Sequence, residues 1–175
     1  ELLPNGNLLR SAKLPNPPIR LGGYAGIVQE IDWDGNVVWE YSNSEADSVT
    51  HHTALRLPNG NTLIQLWEYY SYEDAVARGR DPDTLLSSGP RKGSWPDAIL
   101  ELDANNNVVW EWHVWDHIGS GPWEIDINSP FPVAGGRRGT ADFNHANSLG
   151  YLPDDDLIVW NAPSFGEFYL IDHQT

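Results

Sequence analysis

Six histidines carry most of the chemistry open to this sequence: His51, His52, His113, His117, His145 and His173. Imidazole titrates near neutrality, donates or accepts a hydrogen bond at either nitrogen and ligates metals, so placement decides its use. His51 and His52 precede the phrase Leu57-Pro58-Asn59-Gly60-Asn61. His145, within Phe143-Asn144-His145-Ala146-Asn147, precedes the looser phrase Leu152-Pro153-Asp154-Asp155-Asp156. Histidines set before the same phrase in successive repeats are expected to converge on one site at the mouth of a repeat array. The competing reading gives each ring a neighbouring carbonyl or carboxylate and no further role. His113 and His117 have the i, i+4 spacing that on a helix aims two rings at one metal. Here His113 ends a strand-like run, so aromatic packing and a loop hydrogen bond are expected of this pair, and a metal-dependent hydrolase is the weakest reading.

Other chemistries find no support. Asp103-Ala104-Asn105-Asn106-Asn107 opens like a calcium loop but has Val108 at its sixth position and Val114 at its twelfth, which suits a hairpin turn better. Asp154-Asp155-Asp156 reads as a solvated turn. No glycine-rich phosphate loop runs from a strand into a helix, no serine elbow is visible, and no nucleotide or redox cofactor is implied. The absence of cysteine excludes disulfides and thiolate metal sites. A net charge of −15 argues against nucleic acid and anionic membranes as partners. No apolar run reaches the roughly 18 residues of a membrane span, and residues 1–175 contain no signal-peptide pattern, which leaves open a signal ahead of them.

The elements that would hold these residues are written as repeats. Leu3-Pro4-Asn5-Gly6-Asn7 recurs at 57–61, and Gly35-Asn36-Val37-Val38-Trp39-Glu40 recurs in Asn106-Asn107-Val108-Val109-Trp110-Glu111. Each phrase couples a turn signal to a β-branched run, which is a hairpin signature. An offset of about 70 residues with several short strands per repeat predicts an all-β fold of β-propeller blades. The repeat units fall at roughly 1–71 and 72–175, giving two to three blades of a ring that typically needs about four to eight. The chain is expected to continue beyond both ends, with the other blades supplied by the same polypeptide or an associated chain. A short helix is expected over Tyr72–Arg80, stopped at Gly79 and followed by a loop from Asp81 to Pro96. A long functional loop is expected over Asp116–Phe143, with a strand at Trp123–Asn128 inside it. Alternation nominates Ile27, Val38, Ile99 and Val109 for the core between sheets.

The wording of Gly26–Tyr41, of His51-His52-Thr53-Ala54-Leu55-Arg56-Leu57, of Trp110-Glu111-Trp112-His113-Val114-Trp115-Asp116-His117, and of His145-Ala146-Asn147-Ser148 through Glu167–His173 resembles the bacterial arylsulfotransferase family. The resemblance covers nearly the whole chain. It implies a six-bladed propeller, generally exported to the periplasm or beyond, that moves a sulfuryl group from an aryl sulfate to a phenol through a sulfated histidine. His52 and His145 would stabilise the sulfate oxygens, Asn147 would orient His145 or add a donor, and the nucleophilic histidine would lie outside this segment. Thr53 stands where the family phrase usually has Asp, and Pro163 where better-characterised members carry a sulfate-binding Arg. Both departures, with the exposed strand edges of an incomplete ring, favour the alternative of a non-catalytic binding or assembly module, with homo-oligomerisation open to it.

Overall fold

The computed structural model describes residues 1–16, 22–85, 93–119, 124–127 and 142–174. Its local logic begins at the turns. In Leu3–Asn7 the Leu3 amide donates to the Asn7 carbonyl at 2.8 Å, and Leu57–Asn61 repeats the closure at 2.9 Å. Each turn needs a left-handed residue, which Gly6 (φ 90°) and Gly60 (φ 89°) supply without a Cβ penalty. The Asp103–Asn107 turn puts Asn106 there instead, at φ 67°, and the Asp103 carboxylate accepts both the Asn105 and Asn107 amides. It is a side-chain-closed hairpin turn, as its sequence predicts.

The strands, in chain order, are β1 (Leu8–Lys13), β2 (Gly26–Ile31), β3 (Val37–Ser42), β4 (Ser48–Arg56), β5 (Thr62–Glu68) and β6 (Tyr70–Ser71). Two short helices follow, α1 (Tyr72–Ala77) and α2 (Pro82–Leu85), then β7 (Gly93–Ser94), β8 (Asp97–Leu102), β9 (Val108–His113) and a 3-10 turn over Val114–His117. The chain ends in β10 (Leu149–Leu152), β11 (Leu157–Ala162) and β12 (Glu167–Asp172). Antiparallel pairing groups them as β1-β2-β3, β4-β5-β8-β9 and β10-β11-β12, with β6-β7 a small separate ribbon. These are partial propeller blades, and none of the sheets closes on itself among the described residues. The middle blade spans 48–113, across the division at 71/72 suggested by the repeat phrases. Helix α1 begins where expected, with the Ser71 hydroxyl accepting the Asp74 amide, and gives way to Gly79 at φ 108°. The expected 81–96 loop contains α2 and β7. Trp123 and Asn128 lie outside the described residues, and Ile125 between them makes one parallel bridge with Ile118.

Of the four residues nominated for the core, Ile27 and Ile99 are buried, whereas Val38 and Val109 are each 53% exposed. The cause is a repeated bulge. Trp39 pairs with Glu30 and Val37 with Ile31, so Val38 is an extra residue; Trp110, Glu101, Val108 and Leu102 enclose Val109 in the same way. A bulge resets the alternation, and on the edge strands β3 and β9 it turns both valines outward. The interior strands β5 and β8 are buried on both faces. On one side Ile64, Leu66, Ala98 and Leu100 meet Leu9 and Val28; on the other Leu63 and Ile99 meet Ile158, Trp160 and Ile171.

A polar clamp accompanies each interface. Glu30 Oε1 accepts the side-chain amides of Asn5 (3.0 Å) and Asn7 (2.7 Å), and Arg56 of the next blade closes on Oε2 at 2.7 Å. Glu101, 71 residues further on, accepts Asn59 (3.0 Å) and Asn61 (2.6 Å), and His173 of the third blade meets its Oε2 at 2.5 Å. His173 also reaches Asp156 Oδ1 at 2.8 Å. Hydrogen bonds to a buried charge contribute about 1.5–3 kcal/mol each, so the second Asn of each turn phrase does structural work that the turn alone does not require.

Candidate functional site

At the end of the middle blade away from its Asn-Gly turn, β4 departs from regular pairing. Thr50 pairs with Leu66 and Ala54 with Ile64, leaving His51, His52 and Thr53 opposite the single residue Gln65. The bulge re-aims consecutive side chains that a regular strand would send to opposite faces. His51 turns fully inward and stacks on Trp67, with ring centroids 3.8 Å apart and planes within 6°. His52 takes a left-handed backbone (φ 51°) and lies against Gly23, whose carbonyl accepts its amide at 2.8 Å.

The third blade brings His145 to the same place. The segment entering β10 crosses the middle blade as Asp142 bridges Trp95, and His145 also adopts a left-handed backbone, φ 52°. Its ring meets that of His52 edge to face, centroids 5.0 Å apart. The two histidines do not occupy equivalent repeat positions. Ala54 and Gly150 pair with equivalent residues of β5 and β11, yet His52 lies two residues before the first and His145 five before the second. Convergence comes from a bulge in one blade and an entering loop in the other. Non-glycine residues held left-handed cost about 1–3 kcal/mol each and gather at functional sites.

His145 is oriented by Asp142, whose Oδ2 accepts Nδ1–H at 2.5 Å. Asn147, expected to orient that ring or add a donor, makes its hydrogen bonds with Asn161: its side-chain oxygen accepts the Asn161 amide at 2.8 Å, and its backbone N–H donates to Asn161 Oδ1 at 3.0 Å. The alternation of the chain past Ala146 turns Asn147 to the surface. Thr53 contributes no carboxylate, and its hydroxyl lies 3.5 Å from the Ala54 carbonyl. A carboxylate reaches the β4 histidines from elsewhere: Asp97, at the start of β8, puts Oδ1 2.6 Å from His51 Nε2, off the ideal N–H axis. Asp97 and Asp142 escaped the sequence reading because neither belongs to a recognisable motif, although Asp142 lies only three residues before His145.

Burial governs the protonation of this cluster. It lowers His51 to about 3, partly opposed by Asp142, and lowers His52 to about 4, with the neighbouring rings of His51 and His145 acting in the same direction. Burial also raises Asp97 well above the usual carboxylate range, against the Ala146 N–H. Burial therefore disfavours two full charges in the His51–Asp97 pair.

His113 and His117 have separate surroundings. His113 Nδ1 lies 2.8 Å from Glu68 Oε2, a hydrogen bond that raises its pKa against burial. His117 stacks on Trp112, centroids 4.6 Å apart, and burial lowers its pKa. No group of three His, Cys, Asp or Glu side chains is gathered for a metal among the described residues. Nearby, Tyr70, Asp74, Ala77, Arg78 and Trp115 line an open groove of ≈ 470 Å³. Tyr70 and Trp115 stack on each other at 3.8 Å and Arg78 lies over Trp115, so these aromatic faces are largely spent on packing.

Residues 3–162 match the model of the family described as Arylsulfotransferase (ASST). A search of curated proteins finds no match to the chain.

Proposed function

The chain belongs to the arylsulfotransferase family, and from that premise we propose that it forms part of a propeller that transfers a sulfuryl group from an aryl sulfate to a phenol without a nucleotide. The observation that carries this reading is the meeting of His52 and His145, edge to face at 5.0 Å, from two different blades. Rings from two blades thus meet at one place, and the left-handed backbone at each supports a site held against local preference. In its doubly protonated form, with Nδ1–H held by Asp142, His145 can donate Nε2–H to sulfuryl oxygens as charge develops on them. A histidine from another blade would carry the group between the two displacements. Since the chain is strongly acidic, long-range attraction does not recruit the anionic donor, and local hydrogen bonds must supply its recognition. Export to the periplasm or beyond belongs to the same proposal.

The test is transfer from an aryl sulfate to a phenol by the whole protein, before and after His145→Ala. The variant should lose about a hundredfold or more in kcat, the usual effect of removing one preorganised group that meets developing charge. Full activity in His145→Ala removes that residue from the mechanism. No transfer by the folded, unsubstituted protein from any aryl sulfate favours the binding-module alternative.

A further inference from the structure

Behind the paired rings lies a buried network whose hydrogen-bond logic fixes a tautomer. Gln65 Nε2 donates to the Ala146 carbonyl at 2.6 Å, which identifies that atom as the amide nitrogen, since the side-chain oxygen cannot donate. The same nitrogen lies 3.3 Å from His51 Nδ1. His51 Nδ1 is therefore an acceptor, and the single proton of the neutral ring sits on Nε2, 2.6 Å from Asp97 Oδ1 but directed off the line to it. The other oxygen of Asp97 accepts the Ala146 amide at 2.9 Å and the Asn144 side-chain amide, while Asn144 Oδ1 accepts the Asp97 amide at 3.1 Å. That oxygen of Asp97 is thus held as an acceptor. His52 Nδ1 lies 2.9 Å from His51 Nδ1. Two lone pairs do not face each other at that distance, so His52 carries its proton on Nδ1 and presents a lone pair at Nε2, which makes no hydrogen bond among the described residues.

We propose that Asp97 and His51 are positioning residues that hold His52 as the Nδ1–H tautomer, so that Nε2 accepts the proton of the acceptor hydroxyl. The proposal rests on the transfer reading above and changes the role expected of His52 from the sequence, from oxygen donor to proton acceptor. In the accepting displacement the phenol oxygen forms its bond to sulfur and the hydroxyl proton passes to His52 Nε2. The bond from sulfur to the carrier imidazole breaks, with its electron pair remaining on the carrier nitrogen. Asp97, from another strand, supplies the orienting carboxylate that Thr53 does not.

Two measurements decide it. Long-range proton–nitrogen correlation spectra of the protein labelled with 15N-histidine should show His52 protonated at Nδ1 and bare at Nε2; a proton on Nε2 of the neutral ring overturns the proposal without any variant. In Asp97→Asn, whose amide can donate to His51 Nε2, both rings should invert, moving the His52 proton to Nε2. kcat should then fall by about two to four orders of magnitude with KM little changed, the expected effect of presenting the wrong tautomer to the reacting proton. An unchanged tautomer and rate in folded Asp97→Asn also overturn it. If the unsubstituted protein transfers no sulfate, the proton-accepting role falls with the transfer reading, while the spectra still decide the positioning.

Discussion

A Cβ on Gly23 would lie 1.8 Å from His52 Cε1 and 2.1 Å from its Nε2, and Gly23 itself sits at φ 83°. The missing side chain is what gives the imidazole its seat. Gly23→Ala should therefore displace the His52 ring and strain the backbone, costing about 1–3 kcal/mol of stability. Transfer should fall by at least about tenfold even in protein that remains folded. Thermal unfolding beside a kcat measurement checks it, and a fully active, equally stable variant would show that His52 has room the structure denies it.

The pH dependence of stability has two opposing parts. His51 and His52, lowered to about 3 and about 4 from 6.5, bind fewer protons folded than unfolded. Their contribution is present above pH 6.5 and is lost as pH falls toward those values. Chemical denaturation at pH 7 and pH 5 should show a decline that His52→Asn reduces.

His113 has the opposite sign. Its folded pKa is raised by the Glu68 hydrogen bond, so its stabilisation is complete below pH 6.5 and is lost as pH rises through the folded value. Glu68→Gln should destabilise the protein at pH 6 more than at pH 8. Equal losses at both would exclude a protonated His113 as the cause.

At the blade interface, Glu30 is lowered despite burial, which alone would raise it, because Asn7, Asn5 and Arg56 favour the carboxylate. The clamp should hold above pH 4.5 and weaken as pH falls through the depressed value. Glu30→Gln is expected to remove that share of the acid sensitivity, read from unfolding midpoints between pH 5 and pH 3.

The bulged valines make a control for the core. Ile99→Ala, in a fully buried strand position, should cost about 2–5 kcal/mol. Val109→Thr, on the exposed bulge, should stay within about 0.5 kcal/mol. A large loss for Val109 would mean that another surface covers β9.

Hairpins, the all-β character and the short helix were legible because their signals are local: Asn-Gly turns, alternation, and helix formers behind an acidic start. The bulges were not, since the residues Val37-Val38 and Val108-Val109 fit a regular strand as well as a bulged one, and only pairing with Glu30-Ile31 and Glu101-Leu102 reveals the extra residue. At the site, His52 and His145 stand out by residue type and by the phrases that follow them. The carboxylates that orient the cluster do not: Asp97 comes from a segment distant in sequence, and Asp142, three residues before His145, is an unmarked loop acid until the fold turns it onto the ring. For Asn147, proximity to His145 along the chain says nothing about which way its side chain turns, and its hydrogen bonds go to Asn161.

The clamps around Glu30 and Glu101 also constrain how such a chain can change its length. In each, the two asparagines come from the blade that holds the glutamate, and the positive or titratable partner comes from the blade after it. Cutting the array between partners would leave an inward-facing acid with amide donors but no neighbouring Arg or His. Gains and losses of material are therefore tolerated best in whole modules whose two edges carry matching halves of the contact. A protein of this kind grows or shrinks by about seventy residues at a time, and its genetic history should be written in that unit.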